Sequence, residues 1–300
     1  MMTSKQKVNV VLDVLIIVFA SLTILVSVLI TFIMLFCQSP TRSDRIAHLL
    51  CMNMYISLFI GCAFGLEMYC YTLYGHLHPG ISFDGNWCHY KAYLLYVSGC
   101  SFFYSYLLQA VYRLCRIVFY RKQFLQSPVI YFGGIILQWT MSFAQVMPVF
   151  LLKTSEYLPN DYHCQIALHN IRGLLTGLAL VHMVPISLTT TCYIYTVVHI
   201  RRHAQVMKST RRRDRERRDL VVLTRVFLLL TAMIASGLPQ LGISIFYQIY
   251  GYLPYWSTQF QWLTATFSVF CISIIIIFVS PNLHTFWKKS SSLQNEVYDS

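Results

Sequence analysis

Cys88 and Arg113 stand twenty-five positions apart in the run CHYKAYLLYVSGCSFFYSYLLQAVYRLCRIVFY, and between them only Lys91 is charged. As a helix rising about 1.5 Å per residue, that interval is roughly 37 Å, longer than the bilayer's hydrocarbon core of about 30 Å. The segment thus sets a thiol at one membrane face and a fixed positive charge at the other. The thiol can bridge in an oxidising compartment. The guanidinium is costly inside a span, so it needs a partner, a task, or a route along its own stem to phosphate headgroups.

Catalytic groupings are missing around this pair. The chain has no His-Glu-x-x-His, no Gly-x-Ser-x-Gly and no pair of intramembrane aspartates, so the groups for membrane protease or lipase chemistry are lacking. No enzyme, metal or cofactor is expected. His182, alone in an apolar stretch near Pro185, reads as hydrogen-bonded structure rather than as a metal ligand or pH sensor.

The elements that carry these residues follow from composition. The 300 residues are 56% hydrophobic and only 11% charged, against about 25% charged in soluble domains. One soluble core cannot hide so much apolar surface, so the expectation is an all-α membrane protein. Seven apolar stretches are long enough to span, at about 10–36, 47–74, 88–119, 128–152, 170–199, 220–250 and 256–280. Only nine residues precede the first, which therefore reads as an uncleaved signal-anchor.

The formal charge of +12 invites a nucleic-acid reading, but its distribution argues against one. Eighteen of the 23 Lys and Arg fall on one side of the seven-span arrangement, including Arg42, Arg45, Arg113, Arg116 and nine between Arg201 and Arg218. The positive-inside rule then puts the N-terminus outside and the C-terminus in the cytoplasm, and the charge is topological. The run KSTRRRDRERRD reads as a solvated cytoplasmic extension that attracts anionic lipid. There is no Asn-x-Ser/Thr sequon, so glycosylation is not expected.

Most of the ten cysteines lie within spans and read as small buried apolar groups. Cys88 and Cys164 differ, since both fall on the outer side, Cys164 in the polar loop SEYLPNDYHCQ. A bridge between them would tie that loop to the top of the third span; Cys70 lies near the same face and competes.

Several spacings coincide with those of one family. Beside the Cys88–Arg113 interval, Trp139 precedes Pro148 by nine residues in the fourth span, Pro185 precedes Tyr193 by eight in the fifth, and Asp219 precedes Pro239 by twenty in the sixth. SPNLHTFWKK follows the seventh span, with Leu283, Phe286 and Trp287 on one helical face beside two lysines. Over about residues 10 to 289 the chain resembles a divergent rhodopsin-like G-protein-coupled receptor. The resemblance implies an extracellular segment 1–9, a seven-transmembrane helix bundle over 10–280, and a short amphipathic eighth helix with a cytoplasmic tail over 281–300. It implies a multi-pass plasma-membrane protein whose partners are the lipid bilayer, an extracellular small-molecule or peptide ligand and a heterotrimeric G protein, with no nucleic acid.

The resemblance also implies roles. Arg113 would bind a G-protein helix when the cytoplasmic face opens, with Tyr193 swinging in to support it and Asp219 pairing with Arg113 in the closed state. Pro185 and Pro239 belong to the same switch. Several family positions differ. The acidic residue before the arginine is Tyr112, so closure would lean on Asp219 more than usual. The sodium-holding aspartate of the second span is Leu58, the tryptophan before the proline of the sixth is Gly237, and Ser273 and Ile277 stand at the ends of the missing Asn-Pro-x-x-Tyr.

Ligand positions carried over from the family are Tyr96, Gly99, Gly177, Gln240, Ser244 and Gln259. Glu67 and Asp13 either face that cavity or sit at headgroup level. Leu95 replaces the aspartate of amine receptors and the seventh span has no lysine, which disfavours a biogenic amine and excludes a retinal Schiff base. The remaining cavity is aromatic and uncharged, suited to a neutral or lipid-like molecule or a peptide's apolar end. The main alternative is a receptor-like seven-helix protein that does not couple to G proteins. A transporter or channel fits less, because the spans show no repeat and their middles carry almost no charge.

Overall fold

The computed structural model describes residues 3–37, 45–152, 154–204, 231, 234 and 237–279. Asp219, the basic run around it, SPNLHTFWKK and the C-terminal tail lie outside the described residues.

The helices are α1 (Ser4–Phe32), α2 (Arg45–Leu77), α3 (Asn86–Ile117), α4 (Pro128–Leu151), α5 (Ile171–Gly177), α6 (Val184–Ala204), α7 (residues 237–250) and α8 (Ser257–Val279). Six described stretches are long and apolar enough to cross a membrane; α5 and α6 together form one, Ile171–Arg202, and α8 supplies the last. α7 is the described part of the sixth expected span. Outward faces are apolar rather than polar: Leu25, Leu29, Phe132 and Ile136 are all exposed. Large exposed apolar area on every side is what a lipid environment requires.

Local chemistry sets the ends. Thr3 caps α1, its hydroxyl accepting the Gln6 N–H at 3.3 Å, so the helix begins before the apolar run does. α4 starts at Ser127-Pro128, where the missing proline N–H costs nothing. Pro185 has the opposite effect. It cannot donate back along the helix, and the chain passes through a π-helical turn, Leu178–Met183, between α5 and α6. Gln145 of α4 donates to the Leu180 carbonyl of that turn at 2.9 Å.

α3 is central, packing on α2, α4, α6 and the outer hairpin, while α1 packs on α2 and α8. A buried polar belt joins α2, α3 and α4. The Gln138 amide donates to the Ser101 and Ser105 hydroxyls at 2.9 and 2.8 Å, and its oxygen accepts from Asn53 at 3.0 Å. Trp139 Nε1 donates to Asn53 Oδ1 at 3.3 Å. Toward the Arg113 end of α3 lies an apolar cluster containing Met54, Tyr55, Leu58, Phe102, Tyr106, Tyr193 and Ile272.

The segment between the fourth and fifth spans is not an irregular loop. It forms an antiparallel hairpin, β1 (Ser155–Leu158) with β2 (His163–Ile166), pairing Ser155 with Ile166 and Tyr157 with Cys164. Its turn residue Tyr162 has φ 56° and lies on α2 at Gly75, where a Cβ would come within 2.2 Å of the ring. Only glycine admits that approach.

Replacing Gln138 by Leu strips Ser101, Ser105 and Asn53 of a shared partner at one stroke. The expected cost is about 1–3 kcal/mol, the usual penalty for orphaned buried polar groups. Thermal unfolding in detergent measures it, and an unchanged midpoint would make the belt dispensable.

Candidate functional site

On the outer side, Cys88 at the start of α3 and Cys164 in β2 form a disulfide with Cα atoms 5.6 Å apart, and Cys70 is a free, exposed cysteine. The bridge fixes β2 across the bundle. The hairpin is held further by His89 Nδ1 against the Ser155 hydroxyl at 3.1 Å and by the Phe83 N–H donating to the Tyr157 hydroxyl at 3.1 Å. Its inner strand is buried along its length.

Beneath β2 lies a cavity of about 230 Å³ between α3, the fifth span, α7 and α8. Tyr96, Gly177, Gln240 and Ser244, four of the positions expected from sequence, line it together. The Ile166 N–H donates to the Tyr96 hydroxyl at 3.4 Å, and Ile166 fits over Gly177, where a Cβ would meet its Cδ1 at 2.8 Å. Gln248 closes α7 to the chain after the hairpin by donating to the Leu168 carbonyl at 2.8 Å.

The other expected positions lie elsewhere. Gly99 lines a second cavity of about 140 Å³ with Leu58, Ser98, Phe102 and Thr266. Gln259 donates to Asp161 Oδ1 in the hairpin turn at 2.8 Å. Glu67 pairs with Lys91 at 2.6 Å, and the ammonium also sits 4.1 Å from the centre of the Tyr71 ring.

Asp13 is buried at the outer ends of α1 and α2, its Oδ2 2.5 Å from His76 Nδ1. The other ring nitrogen, Nε2, faces the Asn160 carbonyl of the hairpin turn at 3.2 Å. Close by, His163 Nδ1 lies 2.8 Å from the Asp161 carbonyl and 3.3 Å from the Thr72 hydroxyl. These contacts draw α1, α2, α8 and the hairpin turn into one polar cluster.

At the C-terminal end of α3, Tyr193 of α6 is buried within electrostatic reach of the Arg113 guanidinium. The Tyr193 and Tyr106 hydroxyls are buried without a hydrogen-bond partner among the described residues. Tyr112 turns the other way: it packs edge-on against Tyr131 of α4 at 5.2 Å and accepts from Arg116 at 3.3 Å. Arg113 and Tyr193 therefore share one locus and Tyr112 does not.

The sequence profile of the 7-transmembrane receptors of the rhodopsin family matches residues 30–295. The chain belongs to the rhodopsin family of seven-transmembrane receptors. No curated protein matches it. In this receptor Leu58 of the second span is buried, and the Tyr55 hydroxyl reaches across to the Ser273 backbone carbonyl of α8 at 2.9 Å.

Two features escaped the sequence reading. Gln261, rather than Gln259, lines the cavity beneath β2. Two residues on a helix turn the side chain by about 200°, so a one-step choice between these glutamines selects opposite faces. The Asp13–His76 contact had as its only signal a charged group and a histidine in apolar outer segments, which fits headgroup placement equally well.

A double-mutant cycle tests that contact in the receptor. Asp13→Ala and His76→Ala, singly and together, should return a coupling of about 1–3 kcal/mol in thermal unfolding, as for residues in one buried network. Additive effects would mean that the two side chains contribute independently.

Proposed function

We propose that this receptor binds an extracellular ligand in the cavity under the hairpin and opens its cytoplasmic face to a heterotrimeric G protein. It would act at the plasma membrane, with the N-terminus outside and the basic segments in the cytoplasm. The observation that carries the reading is the joining of two ends by one helix. α3 contributes Tyr96 to the cavity and Arg113 to the cytoplasmic face, seventeen residues apart, or about 25 Å at roughly 1.5 Å per residue.

In this reading Arg113 is the cation that receives the G protein and Tyr193 supports it from α6. Asp219 restrains it in the closed state. Two unit charges 4 Å apart attract by about 4 kcal/mol at an effective dielectric near 20, and desolvation offsets much of that. Each 1.4 kcal/mol that remains biases the equilibrium about tenfold. Pro185 and Pro239 supply the places where the fifth and sixth spans bend. Gln240 follows Pro239 directly and Ser244 lies about one and a half turns beyond it, so a ligand touching them acts on the span that carries Asp219.

Two measurements test the proposal. The full chain in nanodiscs, assayed with a panel of purified G proteins, should drive nucleotide exchange that falls about tenfold in Arg113→Gln. No exchange with any G protein would favour a receptor-like protein that does not couple. In Asp219→Ala basal exchange should rise several-fold, and an unchanged basal rate would remove the closed-state role of Asp219.

A further inference from the structure

The cavity under the hairpin is covered on its water side and open on its lipid side. Toward the aqueous face, Cys164, Gln165 and Ile166 of β2 are buried over it, tied down by the disulfide and the Tyr96 hydroxyl. Between α5 and α7 the wall is made by Ile171, Leu175, Ile245 and Ile249, which are 50%, 58%, 50% and 69% exposed. All four are apolar and all stand on apolar spans, so what they face is lipid rather than water. From Leu241 to Ile249 the slit runs eight residues, about 12 Å at roughly 1.5 Å per residue. That is most of one leaflet's hydrocarbon depth of about 15 Å.

The interior has a definite chemistry. Among the described residues no Asp, Glu, Lys or Arg lines it, so a charged ligand would lose hydration without meeting a counter-charge there. Two polar atoms of the lining are buried without a partner among the described residues, Gln261 Oε1 and His182 Nδ1. Gln261 is only 7% exposed. An amide oxygen accepts and never donates, so this group asks for a donor from whatever fills the cavity. His182, its ring tilted 4.8 Å from that of Phe103, offers its unpartnered Nδ1 to the same cavity.

We propose that the cavity takes an uncharged lipid bearing a hydroxyl, of the sterol or long-chain alcohol class, which enters sideways from the outer leaflet between α5 and α7 and donates its hydroxyl to Gln261. This rests on the reading of the cavity as the receptor's ligand site and adds what enters it and by which route. The apolar body lies against Leu174, Leu178 and Val181, and the slit admits it without displacing the disulfide-anchored hairpin.

The test uses the full chain in nanodiscs with three photoreactive diazirine probes: a sterol, a sixteen-carbon alcohol and the carboxylate of the same length. The sterol and alcohol should label the cavity walls around 171–178 and 245–249, by peptide mass spectrometry, about tenfold more than the carboxylate. Unlabelled alcohol should compete. Gln261→Leu should lower alcohol labelling about tenfold, and Ile245→Trp, a change at an exposed position that fills the slit, should slow labelling to a similar degree. Equal labelling by the carboxylate, labelling unchanged in either variant, or labelling no stronger than at the outward face around Phe132 and Ile136 overturns the proposal. G-protein exchange is read separately. Arg113-dependent exchange without cavity labelling sinks the lipid inference alone, whereas labelling without exchange supports the lipid site and removes the coupling proposal.

Discussion

No water is available in the hydrocarbon core to satisfy a polar group, and the described structure follows from that constraint. A buried donor or acceptor is satisfied within the protein or left at a cost. Serines and threonines that face the helices do so locally, by donating to the carbonyl four residues back: Ser57 to Asn53, Ser105 to Ser101, Ser142 to Gln138 and Thr196 to Cys192. Groups too long for that reach across helices. Gln138 collects two hydroxyls and an amide, Gln145 serves the carbonyl of the π turn, and Tyr55 serves that of Ser273. A single such bond contributes only about 1 kcal/mol net, but leaving one unmade costs about 1–3 kcal/mol. The belt therefore specifies which faces of α2, α3 and α4 meet, more than it adds to stability.

At the outer face the constraint changes, because water is near and compartment chemistry allows a covalent tie. The disulfide holds β2 over the bundle, and the hairpin turn is then fixed by polar contacts that water alone would weaken. Asp13, His76 and the Asn160 carbonyl form one line, and Gln259 and Asp161 another. Both lines bind the same turn to α1, α2 and α8. Rigidity of that side leaves the α5–α7 side as the less constrained wall, with half-exposed isoleucines and a leucine.

Long-range order was legible in the sequence where it depends on length and spacing. Apolar runs gave the described spans, and the interval from Cys88 marked the top of α3. The bridge to Cys164 was legible as a possibility because both thiols fall on the oxidising side. Features that depend on helix phase or on pairing across the chain were not legible. The hairpin is one: SEYL and HCQI are too short and too polar to announce strands, and their pairing is settled by the disulfide and by contact with α3. Gln259 and Gln261 are another, since apolar periodicity is lost when a helix is apolar on every side. Glu67 was readable as a charge in an outer segment, but Lys91, which neutralises it, lies on the next helix. In such helices composition locates the span, and only neighbouring helices set its rotation.

With Leu58 in place of an aspartate, the cavity shared by α2, α3 and α8 is almost wholly apolar and offers a sodium ion no carboxylate. Among the described residues that line it, no charge joins the two ends of the bundle. Near Arg113 the Tyr193 hydroxyl is buried without a partner among the described residues, and so is the Tyr106 hydroxyl beside Tyr193. Each such hydroxyl raises the energy of the form that buries it by about 1–3 kcal/mol. In the proposed switch, a movement that gives either hydroxyl a partner recovers that energy, and the carboxylate proposed to restrain Arg113 opposes the movement with energy of similar size. Two opposing terms of a few kcal/mol leave a small difference, and a small difference is what a ligand with modest differential affinity can overturn.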